Sequence, residues 1–175
     1  MADVEAEDGR YVMRAAAMIA APVDEVRRLL ADDTRLVEWV PWSEWVPGPV
    51  AEGEVRLGVG RSVGAVHFLG RTRTEPDGTV VRSWVMALPP AKGVPREPEW
   101  WREVRGTTRF VQGGTHVDVE VVTTIPGARA RGTRAGARSE ARGLDRALGR
   151  LARIAEGRSP GLAARLRGGP EAGPL

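Results

Sequence analysis

The stretch ARARGTRAGARSEARGLDRALGRLARIAE, residues Ala128 to Glu156, decides how this chain is read. Ala137, Ala141, Leu144, Leu148, Leu151 and Ala155 recur at steps of four and three, which stacks them along one helical face. Arg131, Arg134, Arg138, Arg142, Arg146, Arg150 and Arg153 fall on the other side. The spacing predicts one long amphipathic helix with a narrow apolar stripe of small residues. Pro126-Gly127 marks its start, and Gly157 followed by Ser159-Pro160 its end. Gly132, Gly136, Gly143 and Gly149 each cost up to about 1 kcal/mol against alanine, so the helix needs a surface to lie on.

The residues upstream supply it, because most of them read as strand. Residues 1–10 are expected to be a flexible polar lead, and Tyr11 to Ala20 a first strand. Ala21-Pro22 then starts a short helix, with Asp24 and Glu25 suited to the positive end of its dipole and Val23, Val26, Leu29 and Leu30 on one face. Asp32-Asp33-Thr34 caps a second short helix from Arg35 to Val40, ended by Pro41. Beyond Trp42 the period changes to two. Short extended pieces are expected at Ser43–Val50 and Glu54–Gly60. A hairpin follows, residues 63–74 with 79–88 about Glu75-Pro76-Asp77-Gly78. After a Pro-rich loop (Pro89 to Pro98), a second hairpin pairs residues 99–112 with 115–125 about Gly113-Gly114. In its last strand Val117, Val119, Val121 and Ile125 alternate with His116, Asp118, Glu120 and Thr124, so one face is buried and the other wet.

A single sheet with a single long helix has one way to cover its apolar face, which is to curl around that helix. The expected fold class is therefore α+β: a curved antiparallel sheet of about 6–7 strands around a C-terminal helix, with two short helices after the first strand. One domain over residues 1–157 is expected, with a disordered Gly/Pro/Arg tail over 158–175.

Composition narrows the chemistry. The chain has no cysteine, which removes disulfides, thiolate metal sites and cysteine nucleophiles. No apolar run approaches a membrane span, and the acidic start does not resemble a secretory signal; a cytoplasmic location is expected. The net charge is only +3, yet basic residues are almost all arginine, with Lys92 the single lysine. Gly127 to Arg158 carries nine Arg against three acids. Such a face is either a solvated surface or a contact for RNA or acidic membrane; no DNA contact is expected.

The order of elements, together with IAAPVDEVRRLLAD (Ile19–Asp32), LVEWVPW (Leu36–Trp42) and GGTHVDVEV (Gly113–Val121), resembles the START/Bet v 1-like (SRPBCC) superfamily. Its polyketide cyclase/dehydrase and lipid-transport group looks most similar. The resemblance covers roughly Tyr11 to Gly157 and implies a helix-grip fold enclosing a deep apolar cavity. Some members carry sterols, lipids or quinones, while others cyclise or aromatise polyketide chains. Where many relatives have Trp just after the Val of the first helix, this chain has Arg27.

Six tryptophans in a chain with two Phe and one Tyr are the next signal. Trp39, Trp42, Trp84 and Trp100 are candidates for an aromatic ligand cavity, with Phe68, Met86, Leu144, Leu148 and Arg14 beside them; the alternative is plain core filling. Trp45 and Trp101 are weaker candidates. Arg82 alternates with Val80, Trp84, Met86 and Leu88. If that face looks inward, its guanidinium needs an anionic partner and is the candidate catalytic group, polarising a carbonyl or stabilising an enolate. If Val81, Ser83 and Val85 face inward, Arg82 is solvated. Glu38 at a cavity mouth is a further acid/base candidate, or simply a helix-surface carboxylate. His67 and His116 alternate outward and form no metal site. Gly58 to Gly64 superficially matches a dinucleotide loop, but a strand pattern follows where that loop needs a helix. No cofactor or metal is expected. The functional expectation is an apolar, ring-containing or lipid-like ligand, with cofactor-free polyketide cyclase/dehydrase chemistry as the enzymatic version. A non-enzymatic lipid or quinone carrier, or an interaction module using the Arg-rich helix, is the alternative.

Overall fold

The computed structural model describes residues 2–7, 10–40, 43–45, 52–59, 66–86, 101–124 and 130–158. The Pro89 to Pro98 loop, Trp42, Trp100 and the tail beyond Arg158 lie outside these residues.

Among the described residues, eight strands form one antiparallel sheet in the order β1-β2-β8-β7-β6-β5-β4-β3. They are β1 (Asp3–Glu7), β2 (Arg10–Ile19), β3 (Ser43–Trp45), β4 (Glu54–Val59), β5 (Val66–Thr74), β6 (Val80–Met86), β7 (Trp101–Val111) and β8 (Gly114–Thr124). Helices α1 (Val23–Ala31) and α2 (Leu36–Trp39), separated by a 3-10 turn at Asp33–Arg35, follow β2. The long helix α3 spans Ala130–Ala155.

The N-terminal lead differs from its expectation. Asp3 to Glu7 is an edge strand paired with Arg10 to Arg14 of β2, and the Ala2 N–H donates to the Asp145 carboxylate of α3 at 2.9 Å. This pairing is tertiary in origin. The segment DVEAE is short and mostly charged, and it becomes a strand because β2 offers an open edge. Pro22 also sits one place earlier than expected, at the N-cap of α1 rather than inside it.

Pairing of β2 with β8 brings the first and last strands of the expected core together, Ile19 opposite Thr115 and Met13 opposite Val121. Gly114 makes that junction possible: at φ 154°, a Cβ there would lie 2.2 Å from the Ile19 carbonyl oxygen. The buried Thr115 hydroxyl then donates to the Ala21 carbonyl at 2.6 Å, fixing the entry to α1.

All six stripe residues of α3 are buried: Ala137, Ala141, Leu144, Leu148, Leu151 and Ala155. Ala147 and Ala152 join them, and these small side chains bring α3 close to β2. Gly157, at φ 68°, ends the helix with Gly157 N–H to Ile154 C=O (3.0 Å) and Arg158 N–H to Arg153 C=O (2.8 Å), a Schellman arrangement. Arg27 joins α1 to the sheet, its Nε–H donating to Thr108 Oγ1 at 3.0 Å.

The outer face explains why neighbours on β6 are buried in both directions. Val81 is fully buried although it points away from the helix. Its cross-strand partners are Arg73 and Arg105. Ion pairs of these two with Glu75 and Glu103 cover it with arginine stems.

Candidate functional site: a cavity between sheet and long helix

Curling the sheet around α3 does not fill the space between them. A cavity of about 110 Å³ remains, walled by β2, β6, β7 and β8 on one side and by α1, α2 and α3 on the other. Its apolar lining comes from Met13, Leu30, Leu36, Trp39, Val40, Val80, Trp84, Val104, Val119, Val121, Leu144 and Ala147. Gly106 of β7 also lines it, opposite Val80. Of the side chains around it, Arg82, Arg102 and Glu140 are charged.

The alternation in β6 turns Val80, Arg82 and Trp84 toward this cavity. Trp84 can lie flat on the sheet because its partner on β5 is Gly70: a Cβ there would meet the indole at 2.1 Å. Arg82 is 3% exposed, and the protein itself meets its charge. Nε–H donates to Asp33 Oδ1 at 3.0 Å, and Nη2 donates to the Leu30 carbonyl, the last turn of α1. The guanidinium lies over the Trp39 ring, 5.6 Å from its centroid. Burial pushes the Arg82 pKa below its ordinary value, and the hydrogen bond and charge of Asp33 oppose that shift. No hydrogen bond engages Nη1 among the described residues.

A second ion pair lies on the cavity's less buried side. Arg102 of β7 donates through Nη2 to Glu140 Oε1 of α3 at 2.5 Å, with side chains 20% and 42% exposed. Val104, two residues along β7 from Arg102, is a half-buried part of the lining, as is Val40 after α2. On β7, Arg102 is the cross-strand partner of Trp84, while the indole itself extends the other way, over Gly70 of β5.

The candidates named from sequence are distributed as follows. Trp39, Trp84, Arg82 and Leu144 line the cavity together. Leu148 is buried in the core, outside the lining. Arg14 is corrected: it lies on the outer face of β2, ion-paired to Glu5 at 2.5 Å and Glu120 at 3.4 Å, because Met13 and Ala15 take the inward positions. Phe68 and Met86 are cross-strand partners on β5 and β6, and their side chains lie outside the described set, as do Trp42 and Trp100 entirely. Glu38 is engaged by Arg35 at 2.8 Å, away from the lining. His116 meets Asp118 at 2.9 Å on the outer face.

Asp33, Arg102 and Glu140 were not singled out from sequence as site residues. For Glu140 a signal exists: it falls three residues after Ala137 and four before Leu144, on the border of the apolar stripe.

No family model matches the sequence, and no curated protein matches it. Solved structures do. The Zhui aromatase/cyclase from a Streptomyces species aligns with a TM-score of 0.60 at 19% identity, over 87% of this chain and 98% of that one. A START superfamily protein from Mycobacterium smegmatis aligns at 0.56 with 13% identity, over 82% and 98%. A protein from Thermus thermophilus aligns at 0.62 with 17% identity, over 82% and 96%. Identities this low speak to architecture and not to activity. In architecture, the chain has the START-like (SRPBCC) helix-grip fold.

Proposed function

We propose that this protein binds an apolar, ring-containing small molecule between its sheet and its long helix. The observation that carries this reading is the cavity itself: an apolar chamber faced by the Trp39 and Trp84 indoles, with one buried guanidinium in its wall. Indole faces favour flat, polarisable ligands, and Arg82 Nη1 offers a donor to a ligand oxygen. Mass spectra of the purified protein under native and denaturing conditions test it. A copurifying apolar species, or quenching of tryptophan emission by polycyclic aromatics, supports the reading. A protein that arrives empty and ignores both lipids and aromatics defeats it.

In the catalytic version, the chamber folds a poly-β-keto chain and Arg82 polarises a carbonyl oxygen as the enolate forms, so positioning supplies most of the acceleration. Similarity in fold to an aromatase/cyclase supports trying that substrate class first. Arg82→Lys, which keeps a charge for Asp33 but loses the planar fork, is the informative variant. Cyclisation unchanged in Arg82→Lys removes Arg82 from the chemistry. In the carrier version the same chamber only shields its cargo.

A second reading rests on Arg138, Arg142 and Arg146. They are exposed at four-residue steps along α3, with no ion pair among the described residues. Such a row suits a polyanion, RNA or an acidic membrane. Its binding would weaken steeply with added salt, whereas capture of an apolar ligand in the cavity would not.

A further inference from the structure

The cavity's charges are balanced in a way that selects its ligand, an inference that rests on the cavity-binding reading above. Among the described residues, each cation on the wall already has its own carboxylate. Arg82 is held by Asp33 at 3.0 Å, and Arg102 by Glu140 at 2.5 Å. A carboxylate ligand that displaced one of these acids would leave it unpaired, and one that accepted from Nη1 of Arg82 would add a second negative charge to a cation that Asp33 already balances. These costs are largest at Arg82, the more buried of the two cations, and smaller at the half-exposed Glu140. A neutral ligand disturbs neither pair, and a carbonyl or hydroxyl oxygen can accept from Arg82 without adding charge.

Glu140 is the decisive member. Asp33 sits behind Arg82 and is also bound by the Thr72 hydroxyl at 2.6 Å, so it lines no part of the chamber. Glu140 does line it, more exposed than the other charged groups of the described lining and paired there with Arg102. We infer that the Arg102–Glu140 pair is a charge filter. Glu140 neutralises Arg102 and repels anionic ligands, so the chamber takes uncharged apolar molecules and rejects fatty acids and aromatic carboxylates. Specificity here comes from what the wall penalises and not only from what it contacts.

Two probes of nearly the same ring and volume test this: 2-naphthol and 2-naphthoate, titrated against tryptophan emission at neutral pH. Any carboxylate pays its own desolvation on entry, so the readout is the ratio of the two affinities in variants against wild type. In Glu140→Gln the ratio should move about tenfold toward naphthoate, and in Arg102→Gln it should move the opposite way. Opposite movements of one ratio are not what a general loosening of the fold produces. Equal binding of the two probes by wild type, or a ratio that Glu140→Gln leaves in place, overturns the filter while the cavity reading stands. Failure of both probes to quench wild type overturns the two together.

Discussion

The Arg82 guanidinium and the Asp33 carboxylate meet at 3.0 Å, tying the middle of β6 to the 3-10 turn between the two short helices. Arg82 is almost fully buried, while Asp33 keeps contact with water, its side chain 19% exposed. From behind the chamber wall, Asp33 thus compensates a cation that the apolar lining could not hold alone. Removing either partner leaves the other charge stranded. Arg82→Ala and Asp33→Ala should each cost about 2–4 kcal/mol, somewhat under the value for a fully buried pair because Asp33 is partly wet. The double variant should cost clearly less than the sum. Urea unfolding of all three measures this, and strict additivity would show that the two do not act as a pair. For the same reason, loss of turnover in Arg82→Ala would not by itself identify a catalytic group.

Gly70 gives an independent handle on the chamber wall. Its missing Cβ is the space in which the Trp84 indole lies. Gly70→Ala should drive the indole off the sheet, with a cost of about 1–3 kcal/mol typical of overpacking. The wavelength of tryptophan emission should change, and affinity for an aromatic probe should fall. Unchanged emission and affinity would mean that Trp84 does not form the binding wall.

Much of the frame was legible from local pattern, for identifiable reasons. The stripe from Ala137 to Ala155 runs over five turns, long enough for a 3.6-residue period to stand out, and every residue of it is buried. The hairpin turns were visible in Asp77-Gly78 and Gly113-Gly114, with Gly78 at φ 84° and Gly113 at φ 92°. The face of Arg82 could not be decided from sequence, because Val80, Val81, Arg82 and Trp84 are all buried. The ion-pair network outside Val81 buries that residue on the outer face too, although Val85 further along the same face is exposed. Asp33 read as part of a helix cap, although the capping oxygen belongs to Asp32, which accepts from the Thr34 N–H at 2.9 Å. Arg102 was one arginine among many until folding placed it against Glu140, 38 positions away. Partners distant in sequence leave no periodic trace, and the second ion pair of the site is built from such partners.

Acid should weaken the fold through three carboxylates that accept local or tertiary hydrogen bonds. Asp32 is held below its ordinary pKa chiefly by the Thr34 hydroxyl, Asp77 by the Thr79 N–H, and Glu156 by the Ala20 N–H. A carboxylate lowered in the folded state binds its proton more weakly there than in the unfolded chain. Its stabilisation is therefore complete above the unfolded value and is lost as pH falls through the folded one. Urea midpoints should stay level from about pH 7 to about pH 5 and decline below about pH 4. Asp77→Asn should shallow that decline, and a midpoint that is flat into the acid range would contradict the assignment.

Two neighbouring positions on α3 should respond in opposite directions. Leu151 is fully buried beneath the helix, in the core cluster that also holds Met13, Ile19 and Val26. Truncating it to alanine leaves a void that the surrounding sheet can only partly close, so Leu151→Ala should cost about 2–5 kcal/mol. Gly149 is exposed on the opposite side, and a Cβ added there meets nothing within 4 Å. Gly149→Ala should therefore stabilise the protein by up to about 1 kcal/mol, by reducing the freedom of the unfolded chain. Thermal unfolding of both variants checks the pair. A gain at Gly149 with a large loss at Leu151 is the signature of a helix gripped on one side only. A loss at Gly149 would instead mean that the arginine-bearing face is covered, and that α3 packs against something beyond its own sheet.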